Sequence, residues 1–175
     1  MMHALERIPV GRRLLLIAIS FSAPVAIMLW LIVSGMNQDI AFARAEREGV
    51  QYLEPLTALL DGITAHQVAD DEPADAAKAA AVVNKALSEL DNVQARLGES
   101  LQFTPEGLAK RHREHFAPAT LRSEWTSLES GWTALSAAEN DARHEHLIED
   151  VRGMIAHVGD TSNLILDPDL DSYYV

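Results

Sequence analysis

The sequence predicts an all-α protein: an N-terminal transmembrane helix continuing into an antiparallel helical bundle, truncated at the start of a further helix. Three observations lead there. Residues 14–36, LLLIAISFSAPVAIMLWLIVSGM, are 23 residues without a charge, and about 20 apolar residues span a bilayer core as a helix. Apolar residues beyond that stretch recur every three or four positions, the period of a helix face, and nowhere alternate for long as a strand would. The composition agrees, with 48% apolar residues but only 6% aromatics, a mixture rich in Ala and Leu that favours helix over sheet.

Residues 1–13 carry Arg7, Arg12 and Arg13 against Glu6, and the next basic residue is Arg44, beyond the span. The positive-inside rule then predicts a cytoplasmic N-terminus, 1–13, a span at 14–36, and residues 37–175 on the far side. In a bacterium the expected location is the inner membrane, with a single span in this chain and a periplasmic domain. Pro24 falls inside the span, which membrane helices tolerate. A cleaved signal peptide is the alternative, with Val33-Ser34-Gly35 as small residues for cleavage, but its apolar region is usually only about 7–15 residues long.

In residues 37–69, Val50, Leu53, Leu56, Leu60 and Ile63 make one apolar stripe. No glycine–proline break separates them from the span, so the membrane helix is expected to run on, with Pro55 marking a kink. DDEPAD, 70–75, reads as a turn with Pro73 at the first position of a second helix. Val83, Ala86, Leu90, Val93 and Leu97 repeat along it up to Gly98. Thr104-Pro105-Glu106 opens a short third piece that ends before Pro118. Leu121, Trp125, Leu128, Trp132 and Leu135 then step by 4, 3, 4 and 3, a heptad seam. Ser136 and Glu139 match a capping box, and a last stripe holds Leu147, Val151, Met154, Ile155, Val158 and Ile165. Such stripes can be buried only against one another, hence a bundle. Asp167-Pro168, with Asp169 and Asp171, has the marks of another helix start. So few residues follow that the chain is expected to be a fragment, cut just after that helix begins.

Acidic residues outnumber basic ones 26 to 14, a net charge of −12. This surface disfavours a nucleic-acid partner. Cysteine is absent, which excludes disulfides, thiolate catalysis and cysteine-bound metals. Two polar clusters are candidate ligand contacts. One is the basic run Lys110, Arg111, His112, Arg113 and His115, whose guanidinium groups suit a carboxylate or phosphate. The other is Asp160, Thr161, Ser162 and Asn163, which interrupts an apolar stripe and needs partners if buried. Arg111, Arg113, Asp160, Ser162 and Asn163 are accordingly the candidate ligand-binding residues. The plainer readings are a solvated charge run and local capping.

No metal or other cofactor is expected. Asp167, Asp169 and Asp171 open like a calcium loop, but the sixth position is Ser172 instead of glycine and the twelfth lies past Val175. His112 and His115, three apart, are spaced to share a helix face, yet no Glu-x-x-His pair of the ferritin type occurs. Trp125 and Trp132 fit a core better than a ligand floor. No nucleophile–base pair or phosphate loop stands out, so an enzyme is not expected.

EREGVQYLEPLTALLDGITAHQ, 46–67, and VGDTSNLILDPDLDSYYV, 158–175, resemble segments of the extracytoplasmic sensor region of bacterial methyl-accepting chemotaxis proteins. The sharpest motif is SNLILDPDLDSYY; residues 70–145 are generic helix. The resemblance implies the N-terminal sensory part of a transmembrane chemoreceptor, acting as a parallel homodimer. It would detect a small molecule or a periplasmic protein and transmit the signal by helix movement. The family has no single ligand, and no ligand residue carries over. Similar regions serve membrane histidine kinases, one alternative; a membrane-anchored structural bundle without ligand is another.

Overall fold

The computed structural model describes residues 9–69 and 73–164; the helix start expected at Asp167 lies outside them. Five α-helices follow in order: α1 Val10–Val68, α2 Pro73–Leu97, α3 Pro105–Ala109, α4 Pro118–Gly131 and α5 Ala137–Thr161. Short 3-10 turns lie at Glu114–Phe116 and Trp132–Ala134. No strand occurs among the described residues, and the all-α prediction holds. By internal contacts the chain divides within α1 into two units, residues 1–42 and 43–175.

In the first unit, residues 14–36 of α1 carry no charge on any side. Its most apolar 18-residue window has a mean hydropathy of 2.4 and buries none of its residues in this chain. Phe21 and Trp30 are 75% and 67% exposed. A helix hydrophobic all round belongs in a core or a membrane. This one is long and apolar enough to cross a membrane.

In the second unit the remainder of α1 joins α2, α4 and α5 around one core. Tyr52 of α1 reaches Gln94 of α2, while Gly62 faces Val83; one sequence number rises as the other falls, so the pair is antiparallel. Asn84 and Asp91 of α2 meet Trp125 and Arg122 of α4 in the same sense. Glu124 of α4 lies by Asp150 and His146 of α5, and α5 returns to α1 through His144–His66 and Ser162–Gly49. The result is an up-down-up-down four-helix arrangement in which each helix is antiparallel to its two neighbours. The segment 98–117, which includes α3, lies over the end where Tyr52 and His157 meet Phe103.

The predicted starts and stops were physical signals and are seen as such. Pro73 opens α2, and the helix stops at Leu97, before Gly98. Thr104 caps α3 by accepting from the Gly107 amide. Ser136 and Glu139 form the reciprocal capping box of α5.

Three details differ from the sequence reading. The buried face of the bundle part of α1 is Gly49, Tyr52, Pro55, Leu56, Leu59, Gly62, Ile63 and His66, whereas Val50 is half exposed. Counting only aliphatics overlooked that a tyrosine, a histidine and two glycines face the core. Pro55 is itself buried within the helix, which continues through it. The heptad seam of α4 keeps Leu121, Trp125 and Leu128 buried, but α4 ends at Gly131. Trp132 and Leu135, half-buried, belong to the turn that leads into α5. Finally, α5 ends at Thr161, so its stripe does not run on as helix to residue 165. Asn163 takes a left-handed backbone, φ 64°, the conformation that commonly terminates a helix.

Candidate functional site

The five predicted ligand residues lie at one end of the bundle, and the structure gives four of them a local partner. Arg113 Nη1 sits 2.7 Å from Asp160 Oδ2. Arg111 Nε donates to Gln102 Oε1 at 3.2 Å. Ser162 is fully buried, and its hydroxyl donates to the Val158 carbonyl at 2.6 Å. Asn163 is the left-handed stop after α5. Of the two clusters, the structure thus brings Arg113 and Asp160 together. His112 and His115 share no helix face: His112 has φ 56° in the turn after α3, and His115 lies in the 3-10 turn.

A connected set of buried groups stands behind the Arg113–Asp160 pair. His157, wholly buried, donates from Nε2 to the Leu101 carbonyl at 3.0 Å, since a carbonyl can only accept. Its Nδ1 then faces Arg113 Nη1 at 3.5 Å as an acceptor. Burial pushes His157 below the ordinary imidazole value; the Leu101 bond opposes this, while the charges of Arg113 and Arg111 add to it. Phe103 bridges the His157 ring at 4.5 Å and the Tyr52 ring at 4.6 Å. Burial also pushes the Tyr52 phenol well up, helped by the charge of Asp91, so Tyr52 stays a neutral donor to Gln94 at 2.5 Å.

At the other end a buried histidine pair joins α1 to α5. His144 Nδ1 lies 2.8 Å from the Asn140 carbonyl, so that nitrogen carries the hydrogen. Its Nε2 lies 2.8 Å from His66 Nδ1, a hydrogen bond between the two rings. Trp125 and Trp132 both meet the His66 ring edge-on, at 5.1 and 5.3 Å. The two tryptophans of the seam thus close a polar pair off from solvent instead of flooring a pocket.

The third cluster, between α4 and α5, has the chemistry of a site. His146 and Asp150 are one turn apart on α5, and Glu124 faces them from α4. His146 Nε2 is 3.6 Å from Glu124 Oε2 and 3.6 Å from Asp150 Oδ2. The Asp150 side chain is only 7% exposed. Glu124 Oε2 is enclosed and has no hydrogen-bond partner. A cleft of about 530 Å³ opens beside them, lined by Ser123, Ser127, Ala142 and Arg143 among others. Sequence reasoning missed this group. The i, i+4 spacing of His146 and Asp150 was visible, but Glu124 comes from a different helix, 22 positions away from His146, and only the antiparallel pairing of α4 with α5 brings it in. No protein-family model, curated protein or solved structure matches the chain.

Proposed function

We propose that the chain is the sensory part of a transmembrane receptor of the chemoreceptor kind, with an extracytoplasmic helical bundle that detects a small molecule or a partner protein. The observation that carries this reading is α1. One helical element contains both a stretch apolar enough for a membrane and a face, Gly49 to His66, built into a bundle core. A structural anchor needs no such shared element, whereas a receptor needs a mechanical route between a binding domain and the membrane.

The bundle part of α1 is held by contacts that have few intermediate arrangements. Gly49 leaves room for Ser162, just past the end of α5, and Gly62 leaves room for Val83 of α2. Close-packed contacts of this kind tend to rearrange in discrete steps. A ligand displaces α1 only by binding two such arrangements with different affinity. Parallel dimerisation, with a second copy beside the first, belongs to the same proposal, as do a cytoplasmic N-terminus and a periplasmic bundle in the bacterial inner membrane.

The test is a topology measurement followed by a ligand screen. A reporter active only in the periplasm, fused after Gln67, is expected to be active; activity of a cytoplasm-only reporter there would overturn the orientation. The full chain in detergent micelles is then melted against a library of small metabolites. A ligand that raises the melting temperature in proportion to its concentration supports sensing. A library without effect, together with no captured periplasmic partner, leaves the structural bundle as the better account.

A further inference from the structure

We propose that Glu124, His146 and Asp150 form a binding site for a first-row divalent cation, zinc foremost, between α4 and α5. The site stands whether or not the bundle is sensory.

The geometry is close to that of a loaded site. Zinc takes imidazole nitrogen at about 2.0–2.1 Å and carboxylate oxygen at about 2.0–2.2 Å, so neighbouring ligands of a tetrahedral ion lie roughly 3.3–3.5 Å apart. His146 Nε2 stands 3.6 Å from each carboxylate, and all three ligand atoms lie within 4.8 Å of one another. Small side-chain rotations close the set. Two of the ligands share one face of α5, and α4 supplies the third, so the backbone already holds the directions.

A second observation points to a ligand there. Glu124 Oε2 is enclosed and has no hydrogen-bond partner among the described residues, and the Asp150 side chain beside it is more than nine-tenths buried. Buried polar oxygens without partners are unfavourable. At 3.6 Å His146 makes no hydrogen bond to either oxygen, only a longer ion pair when it is protonated. A cation placed among the three atoms satisfies the Glu124 oxygen and draws on the other two as ligands. The two carboxylates outweigh the single positive charge of Arg143, which lines the same cleft. The imidazole selects the metal class: calcium and magnesium take oxygen ligands, whereas imidazole suits zinc and its first-row neighbours. Three protein ligands leave a fourth position, which faces the cleft and is open to water.

The test is calorimetric titration of the full, untagged chain in detergent micelles with zinc chloride, and separately with calcium chloride. One saturable zinc site per chain is expected, with weaker calcium binding. Groups that only orient a metal ligand change affinity by roughly tenfold or more when mutated, so His146→Ala and Glu124→Gln should each weaken zinc binding at least that much. His146 has a side chain 60% exposed, and its removal should leave the far-ultraviolet circular dichroism unchanged; it keeps the test decisive if Glu124→Gln fails to fold. The double variant His112→Ala with His115→Ala, exposed histidines away from the site, should bind as the unmodified chain does. No saturable zinc uptake, unchanged affinity in His146→Ala, or calcium binding as tight as zinc would each overturn the proposal.

Discussion

Gly49 and His157 show how much a single position settles at the end of the bundle where α5 stops. A Cβ added at Gly49 would collide with the Cβ and hydroxyl of Ser162 and lie 2.9 Å from Leu164. The Ser162 Cβ is fixed by its backbone and cannot swing aside. Gly49→Ala should therefore cost about 1–3 kcal/mol, the range for overpacking a closed contact, despite the better helix propensity of alanine; urea denaturation measures it. His157 makes a pH prediction. Its folded-state value is lowered, chiefly by burial, so the unfolded chain binds more protons once the pH drops below the ordinary imidazole value of about 6.5. The associated stability is complete above that value and is lost as the pH falls. His157→Gln, which keeps a donor for Leu101, should show a smaller drop in urea midpoint between pH 7.5 and 5.5 than the unmodified chain. An equal drop would place the acid sensitivity elsewhere. Neither role was legible in the sequence. Gly49 looked like any helical glycine, and His157 was one of seven histidines, because what matters is the residue that faces each of them from another helix.

Helix boundaries were legible wherever a side chain makes its own local bond. Thr104, Pro73, Gly98 and the Ser136–Glu139 pair act on backbone groups within a few residues, so sequence alone exposes them. The end of α4 was hidden, because Trp132 and Leu135 continue the heptad spacing while the backbone turns. Their apolar surfaces are still used, against His66 and the core, so periodicity persists where the helix does not. Two predictions belong here. Ser136→Ala removes the acceptor for the Glu139 amide and the partner of its carboxylate, and should cost about 1 kcal/mol. Trp125→Ala should cost about 3–5 kcal/mol, since its ring is 1% exposed and its Nε1 donates to Asn84 Oδ1 at 3.0 Å. The second loss has two components that a further variant separates. Trp125→Phe keeps most of the apolar volume but leaves Asn84 without that donor, so it should fall between the other two proteins in a denaturation series. A neutral Trp125→Ala would mean that the seam of α4 contributes no packing to the core.

The whole molecule combines two surfaces that ask for different solvents. Residues 14–36 are uncharged, and none of them is buried in this chain. Beyond residue 35 the chain carries 11 basic and 25 acidic residues, and the second unit gathers Tyr52, Leu56, Leu90, Trp125 and Val151, among others, into one core. Each apolar side chain of the first unit left in water forgoes about 1.5–3 kcal/mol of burial, repeated over many residues, whereas lipid removes that penalty without any protein partner. The expectation is that the full chain sediments with membranes and stays there through an alkaline carbonate wash, which strips peripheral proteins held by charge. A chain beginning at Ala43, where the second unit starts, should remain in the supernatant with its circular dichroism still helical, because Tyr52, Leu56, Leu59, Ile63 and His66 still have α2 and α5 to pack against. The two halves of the experiment fail separately. A full chain that is soluble without detergent would mean that the apolar stretch finds cover in other copies of the protein. A shortened chain that loses its helicity would mean that the bundle depends on the first turns of α1 more than its contacts indicate.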